Sequence, residues 1–276
     1  MALAAWSARD VARFEVTGLA RRMPERTALM REREEQARRE GRAYTIEVRT
    51  VPYDRISPLL RRAVLIAEDD AFFSHGGLDW NEIRASARKN LDRGRVVRGG
   101  STITQQLAKN LFLGSERSLT RKFREAFLAI RLERSLSKRR IFEIYLNRIE
   151  WGPGIFGIEA AARRDFGVSA SDLSPRQALL LAAVIINPVR YSVAAPEPRI
   201  EGRVRMIAGR MKRRGFLDEA QYREALGLPP EPPVDSLGIG LPDSLGTSDS
   251  TLVAPEPLPD PAGDSGGTEA PGDSAR

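Results

Sequence analysis

A carboxylate at the end of an apolar run is the first group in this sequence that could act as a base. Glu68 directly follows the apolar residues 63–67 and precedes Asp69 and Asp70. Removing a carboxylate from water disfavours its charged form, so its pKa rises toward the range that suits a general base near neutral pH. Acidic side chains are also unfavourable at the C-terminal end of a helix. Three consecutive acids at this position therefore favour a chemical role over a solvated helix end.

Further along the chain, two glycines precede a polar helix start with the sequence GGSTITQQLAKN at residues 99–110. Thr102 and Gln105 have the spacing of a reciprocal capping box, which predicts where the helix begins. The backbone N–H groups and the positive dipole end at such a start suit an anion. Lys109, one turn beyond Gln105, would add a full positive charge. An ordinary capped helix would explain this segment by itself, and its neighbouring motifs are what favour an anion site.

Five segments of the chain, in order, resemble the motifs of glycosyltransferase family 51, the peptidoglycan transglycosylases. They lie around Glu68, at 99–110, at 117–125, at 138–147 with Gly152 and Gly157, and from Gln177 to Tyr191. Together they cover about residues 45 to 215, and their order argues against a chance match. Gln177 departs from the family, which usually carries a glutamate there. That difference bears on a local contact and not on the chemistry.

The resemblance implies a polymerase of glycan strands. Such enzymes transfer the growing chain from an undecaprenyl pyrophosphate carrier to the 4-hydroxyl of lipid II, inverting the sugar and forming a β-1,4 bond. The reaction needs a base for the acceptor hydroxyl and cations for the departing pyrophosphate. By resemblance, the catalytic residues are Glu68, as the base, and Glu125, as a second carboxylate.

The implied substrate-binding residues are cations and the polar groups beside them, because lysine supplies a point charge and arginine a fork that matches phosphate oxygens. The set is Lys109, Arg117, Arg121, Lys122, Gln106, Ser101, Thr102 and Asp69. Glu125, four residues after Arg121, is expected to orient these cations or to hold a loosely bound divalent cation, Mg²⁺ or Mn²⁺. The alternative for this pair is a surface ion pair worth under about 1 kcal/mol. His75, the single histidine, is interpreted as structural or as a hydrogen-bond partner in the site wall.

The elements that must position these residues are predicted to be mostly helices. Apolar residues at the helical period predict one helix over about 118–135 and another around 141–145. Residues 178–186 are apolar on every side but too few to span a bilayer, which predicts a buried core helix. Residues 44–51 are the one β-like candidate. The fold class is therefore mostly α, in agreement with the lysozyme-like fold of the family, to which the resemblance adds a small membrane-facing lobe.

Three regions follow from composition. Residues 1–43 are charged and helix-prone, with a solvated run at 31–35, and residues 44–228 are long enough for one glycosyltransferase domain. Residues 229–276 form an acidic tail rich in Pro, Gly and Ser that is predicted to be disordered. The tail has nine acids and one arginine, a net charge of −8. Because the whole chain has a net charge of +7, the rest of the chain carries +15. A body this basic favours anionic surfaces.

The basic stretch between the first two motifs is interpreted as a contact with lipid headgroups, with a plain solvated face as the alternative. It contains Arg84, Arg88, Lys89, Arg93, Arg95 and Arg98. Nucleic acid is not expected, since no binding motif accompanies the charge. The family usually has an N-terminal membrane helix, whereas the apolar residues 1–6 are too few, so no anchor is visible. The expected location is the periplasmic or outer face of the cytoplasmic membrane, with lipid II, the growing glycan, the membrane surface and cell-wall synthesis proteins as partners.

Other functions compete with this interpretation. A lytic glycoside hydrolase of lysozyme-like fold also uses two carboxylates, but it has no use for several cations around a pyrophosphate. A non-catalytic cell-wall scaffold would be expected to lose Glu68 or Glu125, and both are present. Ser135 and Lys138 satisfy the S-x-x-K pattern of serine transpeptidases, but no S-x-N or K-T-G partner follows.

Overall fold

In the computed structural model, which describes residues 14–92, 100–114 and 118–230, helices make up most of the described residues. The helices are α1 (Ala28–Arg39), α2 (Pro58–Glu68), α3 (Trp80–Asp92), α4 (Ile103–Ala108), α5 (Leu119–Ser135), α6 (Lys138–Arg148), α7 (Ile158–Phe166), α8 (Pro175–Val184), α9 (Pro198–Arg213) and α10 (Glu219–Ala225). Short 3₁₀ turns cover Thr17–Ala20, Tyr53–Arg55 and Phe72–Ser74, and a π-helical turn covers Lys109–Leu113. The prediction of a mostly α fold is confirmed. Helices α5 and α6 match the two predicted from hydrophobic period.

The helix that carries Glu68 begins at a strong local signal. The Ser57 hydroxyl accepts from the N–H of Leu60, and Pro58 occupies the first helical position, where a missing N–H costs nothing. The buried face of α2 packs against α8 and α9. These contacts fix the direction in which the helix end, and Glu68 with it, points.

Helix α8 is the buried core helix that the sequence predicted. Every residue from Ala178 to Val184 is buried, but the helix stops there, and Ile186 is 41% exposed. The start of α8 shows the contact of Gln177, the residue at which the chain departs from the family, and a glutamate could make the same contact. The Gln177 side-chain oxygen accepts from the N–H of Ser174 at 3.0 Å, so the amide completes a capping box.

A small sheet lies beside the helices. Strand β1 (Glu47–Val48) pairs parallel with β3 (Ile155–Phe156), which pairs antiparallel with β2 (Glu150–Gly152). The expectation of a single β segment was therefore wrong. Strands of two or three residues are too short to show an alternating pattern, so β2 and β3 leave no periodic signal in the sequence.

Helix α1 is attached to this sheet through a buried carboxylate. Arg33 donates from Nε and Nη2 to Glu150 Oε2 at 3.0 and 2.9 Å, and the Tyr44 hydroxyl lies 3.3 Å from Oε1. Burial and the neighbouring Glu150 raise the pKa of Tyr44 to about 12. The interpretation of residues 31–35 as a solvated run was thus wrong at Arg33. Helical period alone could not reveal a partner 117 positions away.

Several expectations concern parts of the chain that the structure describes only partly. Arg84 and Arg88 are exposed on α3, whereas the Lys89 side chain, Arg93, Arg95 and Arg98 lie outside the described residues. The predicted disordered tail also lies outside them from residue 231 onward. The domain boundaries at 43/44 and 228/229 stay predictions. Within residues 14–92, 100–114 and 118–230, no helix combines the length and apolarity that crossing a bilayer requires.

Candidate active site

A cleft of about 770 Å³ lies where the end of α2, the start of α4, α5 and one side of α9 come together. Nine of the ten predicted site residues line it, namely Glu68, Asp69, Ser101, Thr102, Gln106, Lys109, Arg121, Lys122 and Glu125. The tenth, Arg117, lies outside the described residues. Glu68 and Glu125, which are 57 residues apart in the chain, therefore lie in the same cleft.

Glu68 is the last residue of α2 and is mostly removed from water, with 13% of its side chain exposed. Its Oε1 accepts from Arg203 Nη2 at 3.0 Å, and its Oε2 accepts from Gln106 Nε2 at 3.1 Å. Burial raises the pKa of Glu68, while Arg203, Gln106 and the charge of Lys109 oppose that shift. The carboxylate is thus held in a fixed orientation with a pKa displaced in the direction that a general base requires.

Asp69, the next residue, faces protein groups instead of solvent. Its Oδ2 accepts from the backbone N–H of Ile103 at 2.9 Å, and both its oxygens lie 3.0 Å from His75 Nε2. Because the N–H of Gly77 donates to His75 Nδ1 at 3.2 Å, the ring proton is on Nε2 and points at Asp69. Of the two interpretations of His75, structural or a hydrogen-bond partner in the site wall, the structure shows a hydrogen bond to Asp69, which lines the cleft.

The start of α4 has the predicted capping box, and three of its N–H donors have internal partners. The Thr102 hydroxyl oxygen accepts from the N–H of Gln105 at 3.2 Å, and Gln105 Oε1 accepts from the N–H of Thr102 at 3.0 Å. The N–H of Ile103 is bound by Asp69. The N–H of Ile103 therefore binds an internal carboxylate, and the expectation that this helix start receives an external anion stays a prediction.

Lys109 opens the π-helical turn that follows α4 and lines the cleft beside Gln106. Turns of this kind inside helices are often found at functional sites. Gln105, which the sequence placed on the same face as Lys109, is instead buried in the capping box. Burial lowers the pKa of Lys109, and the nearby carboxylate of Glu125 partly opposes that shift.

Glu125 is buried, and it is held by two cations. Arg121 Nη1 donates to its Oε2 at 2.9 Å, and Lys122 Nζ donates to its Oε1 at 2.5 Å. Lys122 Nζ also donates to Ser101 Oγ at 2.8 Å. With only 3% of the Glu125 side chain exposed, this is no surface ion pair. The carboxylate fixes two positive charges at the wall of the cleft.

The described residues do not fit a resident metal ion as they stand. Both oxygens of Glu125 already accept from cations. Among residues 14–92, 100–114 and 118–230, no three His, Cys, Asp or Glu side chains are grouped to hold a metal. A metal role for Glu125 and the divalent cation itself stay predictions.

Three residues of the site were not assigned by the sequence. Arg203 and Arg210 line the cleft from α9, which lies beyond the motif that ends at Tyr191. Tyr145 was seen within the fourth motif without a role, and its hydroxyl donates to Gln106 Oε1 at 2.9 Å. Arg203 and Arg210 are seven residues apart, a spacing that places both on one face of α9. That pattern could have indicated a shared face but not what it contacts.

The arrangement can deprotonate a hydroxyl next to an anionic group. A buried carboxylate with a raised pKa shares its cleft with Lys109, Arg121 and Lys122, which can bind a phosphate-bearing ligand.

Comparison with known proteins agrees with that chemistry. The family model described as Transglycosylase matches residues 35–212. A biosynthetic peptidoglycan transglycosylase of Nitrosospira multiformis is 47% identical over 188 residues, which cover 68% of this chain and 82% of that protein. Proteins of the same name from Aromatoleum aromaticum and Chromobacterium violaceum are 53% and 52% identical over 161 residues. Those matches cover 58% of this chain and 70% and 71% of the relatives.

Proposed function

The chain belongs to the transglycosylase family and is a peptidoglycan glycosyltransferase that polymerises glycan strands, and we propose how its cleft carries out that reaction. The growing strand is transferred from an undecaprenyl pyrophosphate carrier to the 4-hydroxyl of lipid II. The new bond is β-1,4, with inversion at the donor sugar. The observation that supports this best is that the mostly buried carboxylate of Glu68 shares one cleft with Lys109, Arg121 and Lys122.

Glu68 is the base in this proposal. As the acceptor 4-hydroxyl attacks the donor carbon, Glu68 takes its proton, and the bond between that carbon and the pyrophosphate oxygen breaks on the opposite face. A pKa raised by burial makes the carboxylate a stronger proton acceptor than a solvated glutamate. The hydrogen bonds from Arg203 and Gln106 orient the carboxylate and stabilise its ionised form, so it is ready to accept the proton.

Lys109, Arg121 and Lys122 bind the pyrophosphate, and Glu125 positions the last two of them. Fixed cations stabilise the negative charge that grows on the leaving group without reorganising during the reaction. Ser101, held by Lys122, and Thr102 line the same wall. Arg117 has the same role by resemblance, on a residue outside the described part of the chain. In this scheme Asp69 supports the wall through its bond to Ile103.

The activity belongs to the periplasmic side of the cell envelope, where peptidoglycan is made, and we further propose that α3 and the exposed side of α5 meet the membrane surface. Trp80 and Phe123 are 61% and 59% exposed, and Arg84 and Arg88 are exposed on α3. Tryptophan is favoured at the headgroup level and basic side chains are attracted to anionic lipids. This region corresponds to the small lobe that the lysozyme-like fold of the family implies.

The test is polymerisation of labelled lipid II by the full chain, measured as a glycan ladder on a gel in detergent. Wild type would be compared with Glu68→Gln, and with Glu35→Gln, an exposed glutamate on α1, as the matched control. Parallel reactions with and without a divalent cation would test the predicted cofactor. We expect ladders from wild type and the control only. A ladder of normal yield from Glu68→Gln would overturn the assignment of the base.

A further inference from the structure

A chain of hydrogen bonds leads from the core of the protein to Glu68. The Tyr145 hydroxyl donates to Gln106 Oε1 at 2.9 Å, and Gln106 Nε2 donates to Glu68 Oε2 at 3.1 Å. Tyr145 lies on α6, Gln106 on α4 and Glu68 at the end of α2. Three helices therefore meet through one amide side chain.

Tyr145 decides which end of that amide faces Glu68. Its side chain is fully buried, and burial beside the carboxylates of Glu68 and Asp69 raises its pKa well above the usual value, so the hydroxyl keeps its proton. A buried hydroxyl needs an acceptor for that proton. Among the described residues, Gln106 Oε1 is the acceptor within bonding distance. With its oxygen bound to Tyr145, the amide can present only its NH₂ group to Glu68.

We propose that Tyr145 is a positioning residue that keeps Glu68 ionised by locking the amide of Gln106 with its donor toward the carboxylate. An N–H donor stabilises the charged carboxylate, whereas an amide oxygen would stabilise the protonated acid. Without the tyrosine hydroxyl, the amide is free to turn over and accept a proton from Glu68. The proposal rests on the assignment of Glu68 as the base, and it adds a residue that never touches substrate.

Other charged groups act on Glu68 but cannot replace this lock. Arg203 of α9 binds the other carboxylate oxygen, and Lys109 contributes its charge from the turn after α4. The remaining charged residues of the cleft wall are Asp69, Asp70, Asp79, Glu82, Arg121, Lys122, Glu125 and Arg210. Tyr145→Phe leaves every one of them in place. A change in the titration of Glu68 in that variant therefore reports on the orientation of Gln106.

The primary experiment is the pH profile of kcat/KM for lipid II polymerisation by the full chain. Because the base must be ionised, activity falls as the pH drops through the pKa of Glu68. In Tyr145→Phe we expect this acidic limb to move to higher pH by about one unit, the shift that corresponds to one lost hydrogen bond to a carboxylate. Activity should recover toward the wild-type value at higher pH. A uniform loss at every pH would indicate a merely structural role and would overturn the proposal.

Two further variants separate the mechanism from general damage to the core. Tyr53→Phe removes the hydroxyl of another buried tyrosine, one that does not line the cleft, and its acidic limb should stay in place. Gln106→Met removes the amide and should shift the limb by itself. If Tyr145 acts through Gln106, adding Tyr145→Phe to Gln106→Met produces no further shift. Additive shifts would show that the tyrosine acts by another route.

The protonation of Glu68 can also be measured without turnover, which separates a failure of the role of Tyr145 from a failure of the proposed function. Infrared difference spectra across pH would follow the protonated carboxyl band that disappears in Glu68→Gln. In Tyr145→Phe the band should persist to higher pH than in wild type. If wild type makes no glycan and the band still shifts, the function fails and the lock stands. If wild type makes glycan and the band does not move, the lock fails and the function stands.

Discussion

Arg203 Nη2 lies 3.0 Å from Glu68 Oε1, although 135 positions separate the two residues in the chain. The arginine is itself anchored, because its Nε donates to the backbone oxygen of Ala183 at 3.0 Å. The end of α2, the end of α8 and the face of α9 are therefore joined at the proposed base. Burial makes ionised Glu68 costly, and a paired arginine is the usual way to retain such a charge.

Removing this arginine should raise the pKa of Glu68 and weaken catalysis near neutral pH. Arg203→Met keeps a long side chain but leaves the carboxylate oxygen without its cation. We expect the acidic limb of the kcat/KM profile to move upward, with a fall of about tenfold or more at neutral pH. Arg205→Met, at an exposed position of the same helix, is the control. An unshifted limb in Arg203→Met would mean that the pair is not what holds Glu68 ionised.

The raised pKa of Glu68 also predicts how stability depends on pH. Above the ordinary pKa of 4.5 and below the raised one, the folded state binds more protons at this group than the unfolded state does. The contribution of Glu68 to the free energy of unfolding is thus full below the ordinary value and is lost as the pH rises through the raised pKa. Wild type should lose stability relative to Glu68→Gln across that window. Thermal melts of both proteins from about pH 4 to about pH 8 cover the range in which buried carboxyl groups titrate, and a constant difference in Tm would contradict the shift.

The lowered pKa of Lys109 leads to a prediction for the alkaline limb of the kcat/KM profile. Burial lowers its pKa, so its positive charge is lost as the pH rises through that lowered value, and pyrophosphate binding weakens with it. We expect an alkaline fall in kcat/KM that disappears in Lys109→Ala, together with a rise in KM of about tenfold or more. Lys212→Ala, which removes a partly exposed lysine paired with Glu219 on α10, should leave both unchanged. An alkaline limb that persists in Lys109→Ala would assign it to another group.

The sequence was sufficient for the parts of the site whose signals are local. Thr102 and Gln105 form the predicted capping box, and an apolar run ending in Glu68 was enough to predict a desolvated carboxylate. Arg203, which binds Glu68, and Tyr145, which reaches it through Gln106, could not be predicted, since packing between helices distant in sequence brings them together. Likewise, no pattern in the sequence of α4 predicts that Asp69 accepts a hydrogen bond from the N–H of Ile103 at its start. Local pattern predicts which groups are present, and tertiary packing decides which of them pair.

Asp69 and Asp70 are adjacent carboxylates whose loss should have different costs. Asp69 is 8% exposed and supports both Ile103 and His75, so Asp69→Ala leaves two buried donors without an acceptor, at a cost of about 1–3 kcal/mol each in unfolding free energy. Asp70 forms an exposed pair with Arg214, and such pairs contribute about 0.2–1 kcal/mol. Urea unfolding of both variants measures the difference. Equal losses would show that the buried bonds of Asp69 do not stabilise the wall.

Gly157, which belongs to the fourth motif, packs closely against the end of α6, the helix that carries Tyr145. It adopts φ +86°, and a Cβ there would come within 2.7 Å of the Asn147 backbone oxygen and 2.8 Å of that of Arg49. Gly157→Ala must therefore separate the end of α6 from the segment after β1, in addition to straining the backbone. Gly167, at the end of α7, has φ +71° but open space around its Cβ position, so Gly167→Ala carries only the strain. We expect Gly157→Ala to lower the free energy of unfolding by about 2 kcal/mol more than the control. Because α6 also carries Tyr145, the same variant should lose polymerase activity well below its melting temperature, and an active Gly157→Ala of control stability would show that this close approach is not required.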